Sequence, residues 1–228
     1  MNRTWISHHA PCERMSRHRH VEAYAALILA GEYVEAGDSG RMQMQPGQVV
    51  LHGAYEAHQN HFSGAGAVVL NIPLTRRLGM ITGIVADADA VARLAERDVA
   101  AASALLSETT RPLDMQLTDW PDQLAAALAS EADFCLTQWA DGLGLAPPSL
   151  SRGFQRAYGV SPKRYRFEQR TLRAVRRLRD WHGTLAALAV ECGFADQAHL
   201  SRAIVAVTGV APQRLRVKSV QEGTPSCS

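Results

Sequence analysis

Seven of the nine histidines fall before residue 62: His8, His9, His18, His20, His52, His58 and His61. Imidazoles gathered with a carboxylate can coordinate zinc, iron or nickel, and they can equally line a polar pocket that hydrogen-bonds an organic ligand. On a strand over residues 17–25, period-two alternation puts His18, His20 and Glu22 on one face. A second chemistry is written twice further on, as Leu150-Ser151-Arg152 and Leu200-Ser201-Arg202. A serine hydroxyl beside an arginine fork suits the acceptor edges of bases and nearby phosphates.

The elements that carry the second set are a duplicated module. At an offset of 49 residues Leu136, Trp139, Ala140, Leu143 and Gly144 fall on Leu185, Leu188, Ala189, Cys192 and Gly193. At an offset of 50, Leu150, Ser151, Arg152, Gly159, Val160, Pro162, Arg164 and Arg166 meet Leu200, Ser201, Arg202, Gly209, Val210, Pro212, Arg214 and Arg216. Two copies are too few for a solenoid. Within a copy, the i, i+3, i+4, i+7 apolar spacing predicts a short amphipathic helix, closed by a glycine suited to the left-handed conformation. A second helix follows. Leu150, Phe154, Ala157 and Tyr158 share one of its faces, and Pro148, Ser151, Arg152 and Gln155 form a hydrogen-bonding face. Helix, tight turn and second helix with a polar face is a helix-turn-helix unit. Between the copies, residues 161–179 hold eight basic side chains and one acidic. Tyr165, Leu172, Val175 and Leu178 keep an apolar seam there, which predicts a linker helix bearing phosphate contacts.

These residues resemble a known family. Residues of about 131–217 are similar to the double helix-turn-helix domain of AraC/XylS-type bacterial transcription regulators. The resemblance rests on the Leu-Gly-Leu turn, Leu150-Ser151-Arg152, Tyr158-Gly159-Val160-Ser161-Pro162, Ala174-Val175-Arg176-Arg177-Leu178, the run Cys192 to Arg202, and Gly209-Val210-Ala211-Pro212. It implies two recognition helices in successive major-groove segments of double-stranded DNA. By motif position, Pro148, Ser151, Arg152, Gln197, Ala198, Ser201 and Arg202 would face bases or phosphates. Ser149, Gln155, Arg156, Lys163, Arg164 and His199 complete the candidate DNA-contacting set. The resemblance also implies an effector, a homodimer and a dialogue with RNA polymerase.

Upstream, residues 1 to about 75 read as five or more short strands. The run Ala23 to Val34 ends at Gly31-Glu32-Tyr33, residues 36–40 turn, Pro46-Gly47 turns again, and Gly64-Ala65-Gly66 separates His58–Phe62 from Val68–Ile72. This order resembles a cupin barrel, with His58 where a cupin supplies its later histidine. The sequence departs from the cupin pattern where that pattern has its glutamate: here stand Tyr24 and Ala25. The metal candidates are therefore His18, His20 and His58, for one divalent ion. The effector-pocket candidates are His18, His20, Glu22, Tyr24 and His58. Residues 86–108 predict one long helical stripe through Val91, Leu94, Ala95, Val99, Ala102, Leu105 and Leu106, packing on the barrel or on a twin. Asp119-Trp120-Pro121-Asp122 predicts the start of a further helix through Ala129.

The expected class is α+β: a small cupin-like β-barrel over 1–80, a helical connector or dimerisation segment over 81–130, an all-α domain with two helix-turn-helix units joined by a linker helix over 131–217, and a tail over 218–228. Charge divides in step. Residues 1–130 hold 10 basic and 14 acidic side chains, residues 131–218 hold 14 and 7, which suits a half that meets nucleic acid and a half that does not. The four cysteines form no C-x-x-C pair, so neither a disulfide framework nor a zinc finger is indicated. No apolar run reaches membrane-spanning length, and the first residues lack a signal peptide's apolar core, so a cytoplasmic protein is expected. No Ser-His-Asp set, phosphate-binding glycine loop or paired-carboxylate motif stands out. The function expected is DNA-binding transcription regulation under a small-molecule effector, with no enzymatic activity. Metal-responsive regulation and a cupin metalloenzyme are the alternatives.

Overall fold

The computed structural model of the chain describes residues 5–74, 79–130 and 135–216; the tail expected from 218 lies outside the described residues. The chain divides into two compact units, one of residues 1–127 with 134–161 and one of residues 128–133 with 162–228. The architecture is α+β: among the described residues, eight antiparallel strands and a helical C-terminal part.

In the first unit the strands are β1 (Ile6–His9), β2 (Arg14–Arg19), β3 (Tyr24–Gly37), β4 (Gly40–Met44), β5 (Gln48–His52), β6 (Ala57–Pro73), β7 (Thr82–Val85) and β8 (Thr110–Pro112). The spine is the β3–β6 pair. β3 also pairs β4 and β5 at its two ends, and β6 pairs β2 and β1. These two strands are long where short ones were expected. Gly31 and Gly64–Gly66 do not end strands; they lie within them. Gly31 (φ 72) and Gly66 (φ 68) have left-handed backbones, and the register slips between Ile28 and Ala30 and between Gly31 and Tyr33. The slip bends the pair without breaking it. The approach is close: a Cβ on Gly31 would lie 2.0 Å from the Gly66 carbonyl oxygen. The sheet also runs beyond the first 75 residues, through β7 and β8.

Ala25, Ala26, Leu27 and Ile28 are all buried, because both faces of β3 are covered. Leu27, Val49, Leu51, Leu70 and Ile72 pack with Val91, Ala95, Ala102 and Leu106 from α1 (Ala88–Ala95) and α2 (Val99–Thr109). Ile28, Tyr33, Met42, Met44, Val50 and Phe62 fill the opposite, inner face. The long stripe expected over 86–108 is thus two helices, not one. Asp98 breaks it, its carboxylate accepting from the backbone N–H of Ala100 and Ala101 as an N-cap. Of the two packings expected for this stripe, the one seen is against its own sheet. Three helices complete the unit: α3 (Trp120–Ala129), α4 (Leu136–Gly142) and α5 (Pro147–Tyr158).

The second unit holds α6 (Pro162–Leu178), α7 (Leu185–Glu191) and α8 (Gln197–Thr208). Tyr165, Leu172, Val175 and Leu178 are buried along α6, as their seam predicts. Among the described residues no helix is long and apolar enough to cross a membrane.

Candidate functional site

Two places hold the chemistry singled out in the sequence. The first is a cavity of about 520 Å³ within the sheet, lined among others by Trp5, Met15, His18, His20, Tyr24, Glu35, His58 and Asn60. Strand alternation builds it. β6 turns His58 and Asn60 inward, β2 brings Met15 and His18 opposite them, and β3 adds Tyr33 and Glu35. The strand expected over 17–25 does not form, since β2 stops at Arg19 and residues 20–23 turn into β3. His18 and His20 still converge. Their rings are 4.8 Å apart, and His18 is 4.4 Å from the His58 ring. Glu22 lines the cavity from that turn and is exposed.

Two residues beside His58 were not assigned from the sequence: Glu35, which lines the cavity, and His52. Glu35 is buried, with Oε2 3.2 Å from His58 Nδ1 and Oε1 3.5 Å from His52 Nε2. The signal available was a carboxylate two residues past Tyr33 on an apolar strand, which alternation places inside. Burial opposes the Glu35 charge, yet the charges and hydrogen bonds of His52 and His58 hold its carboxyl well below the usual range. Burial also opposes a charged His58, but Glu35 and the Asn60 side chain (2.9 Å from Nδ1) outweigh it and raise the His58 pKa. The Tyr24 hydroxyl lies 3.0 Å from His58 Nε2. At the rim, burial pulls His20 down to about 4, helped by His58 and His18, and burial lowers His18 as well. Both rims therefore present neutral imidazoles near neutral pH.

Among the described residues, two trios could hold a cation: His18, His20 and His58, and Glu35, His52 and His58, with the ligand atoms of each trio within 4.8 Å of one another. Tetrahedral zinc brings its ligand atoms to about 3.4 Å apart, so modest ring rotations suffice. The donors suit it, since His20 Nε2 is buried without a hydrogen-bond partner. Glu35 and Asn60 engage His58 through Nδ1, leaving Nε2 to ligate in place of the Tyr24 hydroxyl. The carboxylate missing at positions 24 and 25 is thus present near the same histidine, from β3.

The second place is the pair of repeated helices. α5 and α8 both stop at a left-handed glycine, Gly159 (φ 75) and Gly209 (φ 71). Gly144 (φ 64) and Gly193 (φ 70) form the turns that precede them. α5 has three sides. Leu150, Phe154 and Tyr158 are buried; Gly153 and Ala157 meet α3 and the sheet; and Pro148, Arg152 and Gln155 are exposed with Ser151 half-buried between them. Arg152 Nη2 donates to the Ser149 hydroxyl at 3.2 Å. Arg156 faces away from this open side and lines a second cavity. On α8, Gln197, Ala198 and Arg202 are exposed and Ser201 half-buried, with Val205 44% exposed at the position matching Gln155. Asp196 caps α8, accepting from the His199 N–H at 2.6 Å, and the His199 ring stands edge-on to Phe194.

The linker helix is less free for phosphates than its charge suggests. Arg164 donates to Glu168 (2.6 Å), Arg170 to the Gly193 carbonyl (2.9 Å), Arg173 to the Ala129 carbonyl (3.2 Å) and Arg177 to Glu191 (3.1 Å). Lys163 is exposed at the start of α6.

Residues 139–218 match the model of a helix-turn-helix domain family. The arabinose operon regulatory protein of Escherichia coli (strain K12) is 26% identical over 161 residues, 71% of this chain and 53% of that one. The HTH-type transcriptional regulator Rv1931c of Mycobacterium tuberculosis is 31% identical over 77 residues, 34% of this chain and 30% of that one. The chain thus spans about half the length of the first relative and less of the second. Among solved structures, ToxT from Vibrio cholerae superposes with a TM-score of 0.43 at 10% identity over 98% of both chains. The C-terminal domain of AraT, a response regulator from Geobacillus stearothermophilus, does so at 0.40 and 22%, over 45% of this chain and 87% of that one.

Proposed function

We propose, on the premise that the chain carries an AraC-type helix-turn-helix domain over residues 139–218, that it is a sequence-specific DNA-binding transcription regulator whose sheet cavity senses a small molecule. One observation carries this reading: α5 and α8 each present the same open Ser-Arg face, Ser151-Arg152 and Ser201-Arg202, on a helix set by a preceding helix and a left-handed glycine. Arginine reads guanine or a phosphate, and serine reads either base edge. Domain limits of 131–217 for DNA binding and 1–80 for sensing belong to this proposal. So do a homodimer, contact with RNA polymerase, a cytoplasmic location and the absence of enzymatic activity. Its test is selection of duplexes from a random pool by the full chain, followed by a salt titration. Enrichment of one motif, with affinity falling steeply as salt rises, supports the reading. Binding without sequence preference, unaffected by Arg152→Ala, overturns it.

A second reading concerns the effector. The converging neutral rims His18 and His20, with His58 oriented by Glu35, favour a divalent metal as the signal or as part of it. His18, His20 and the His58 Nε2 would hold the ion, which would supply a Lewis-acidic centre, with His58 turned from the Tyr24 hydroxyl to the metal. Metal content of the untagged chain, beside His58→Ala, decides. About one ion per chain, lost in the variant, establishes the metal site. None after incubation with zinc, iron or nickel leaves the histidines as pocket lining for an organic effector.

A further inference from the structure

The outer face of the same sheet holds a second cavity, of about 530 Å³, lined by Arg14, Val34, Ala36, Arg41, Gln59, His61, Gly153, Arg156 and Ala157. Its construction follows from strand alternation. β6 turns His58 and Asn60 into the sensor cavity, so Gln59 and His61 point the other way. β2 sets Arg14 directly across from His61, and β3 contributes Val34 and Ala36. α5 closes the far wall with Gly153, Arg156 and Ala157. All of these residues belong to the first compact unit.

The charge of this cavity is one-sided. Arg41 is matched, its guanidinium donating to Asp119 (2.8 Å) and Asp122 (3.0 and 2.9 Å). Among the described residues no carboxylate pairs with the guanidinium of Arg14 or of Arg156, and no acidic side chain lines the space. Burial and then the Arg14 charge lower the His61 pKa, so the imidazole already senses the positive field. The wall between the charges is small and apolar: Val34, Ala36, Gly153 and Ala157.

We infer that this cavity binds a small dianion, a phosphate or a dicarboxylate, between the Arg14 guanidinium of the sheet and the Arg156 guanidinium of α5, with His61 as a third donor. Two arginine forks match the geometry of carboxylate and phosphate oxygens. The volume suits a small organic ligand. A space walled by α5 on one side and by the sheet on the other suits a free anion better than the backbone of a DNA duplex. An anion here ties the first helix-turn-helix unit to the sheet, because one of its two anchors lies on each. The inference does not rest on the proposed DNA-binding function, since the binding measurement needs no DNA.

The experiment is calorimetric titration of the full chain with inorganic phosphate and, separately, with succinate. The His61 ring signal is followed by NMR across pH. Saturable binding is expected for at least one probe, with the His61 pKa rising in its presence. Loss of one charge-assisted arginine contact should weaken binding about tenfold or more in Arg14→Ala and again in Arg156→Gln. Two exposed side chains are used so that a folding defect in one variant does not remove the test. No saturable binding of either probe up to about 10 mM, weaker than the millimolar range in which a specific site is readily measured, overturns the inference. So does binding that both variants retain. A third outcome, in which neither probe binds but Arg14→Ala lowers DNA affinity and flattens its salt dependence, would also overturn it and assign Arg14 to a DNA phosphate.

Discussion

Gln59 donates from Nε2 to the Ala157 carbonyl at 2.9 Å, joining β6 of the sheet to α5, the helix that carries Ser151 and Arg152. Its neighbour His58 projects from the other face of β6 into the histidine-lined cavity. One strand therefore has the candidate effector on one side and the candidate reading helix on the other. Gln59→Ala removes this bond and should cost about 1 kcal/mol. Amide exchange across residues 150–158 should then quicken about fivefold, a factor that matches such a loss if the helix opens locally. Unchanged exchange there would show that the bond does not hold α5 to the sheet.

A second junction is steric. Gly153 faces the Trp120 ring so closely that a Cβ would lie 2.6 Å from Cζ2. On its other side, α5 is tied by the Tyr158 hydroxyl donating to Asp122 at 2.9 Å, and Asp122 is held by Arg41. Gly153→Ala is an innocent change in an isolated helix, where alanine is the better former. Here it must displace a large ring, so a loss of about 1–3 kcal/mol is expected. The tryptophan emission should also shift. A gain in stability would mean that Trp120 moves aside at no cost.

The Glu35–His58 pair predicts a pH dependence for the metal-free chain. Glu35 is depressed from its ordinary 4.5, so its contribution is present above that pH and lost as the pH falls through its folded value. His58 is raised from its ordinary 6.5, so its contribution is complete below that pH and lost as the pH rises through its folded value. Unfolding free energy should therefore peak between these limits and decline as the pH is raised from about 5.5 past the ordinary histidine value into the alkaline range. Glu35→Gln should lower it by about 3 kcal/mol near pH 5.5 and flatten that decline. Urea unfolding of both proteins at the two ends checks this, and parallel pH profiles would refute it.

The helix-turn-helix units were legible because their constraints are local. An i, i+3, i+4, i+7 stripe and a glycine where the backbone must turn left-handed are written in adjacent residues, and Gly144, Gly159, Gly193 and Gly209 all have positive φ. The histidine-lined cavity was legible in part. His18, His20, Tyr24 and His58 do converge, but Glu35 and His52 join them through the pairing of β3 with β6 and β5, which no local pattern reveals. Gly31 and Gly66 misled for a related reason, since a glycine that ends a strand and one that lets it bulge look alike before the partner strand is known. The bracing of α5 by Gln59 and Trp120 is purely tertiary, and nothing in the alternation of β6 distinguishes a solvent face from a docked one.

The two repeats should contribute unequally to DNA affinity. The face of α5 offers Ser149, Ser151, Arg152 and Gln155, and Lys163 stands exposed at the start of α6. The matching face of α8 continues past Arg202 with Val205, 44% exposed, whose isopropyl group can meet a thymine methyl but donates nothing. No basic residue follows on the chain until Arg214. Arg152→Ala should therefore weaken binding to the selected duplex more than Arg202→Ala, by about 1 kcal/mol or more of difference, within the worth of one bidentate arginine contact. Titrating both variants against the same duplex at one salt concentration gives the ranking. The reverse order would place the greater share of recognition on α8.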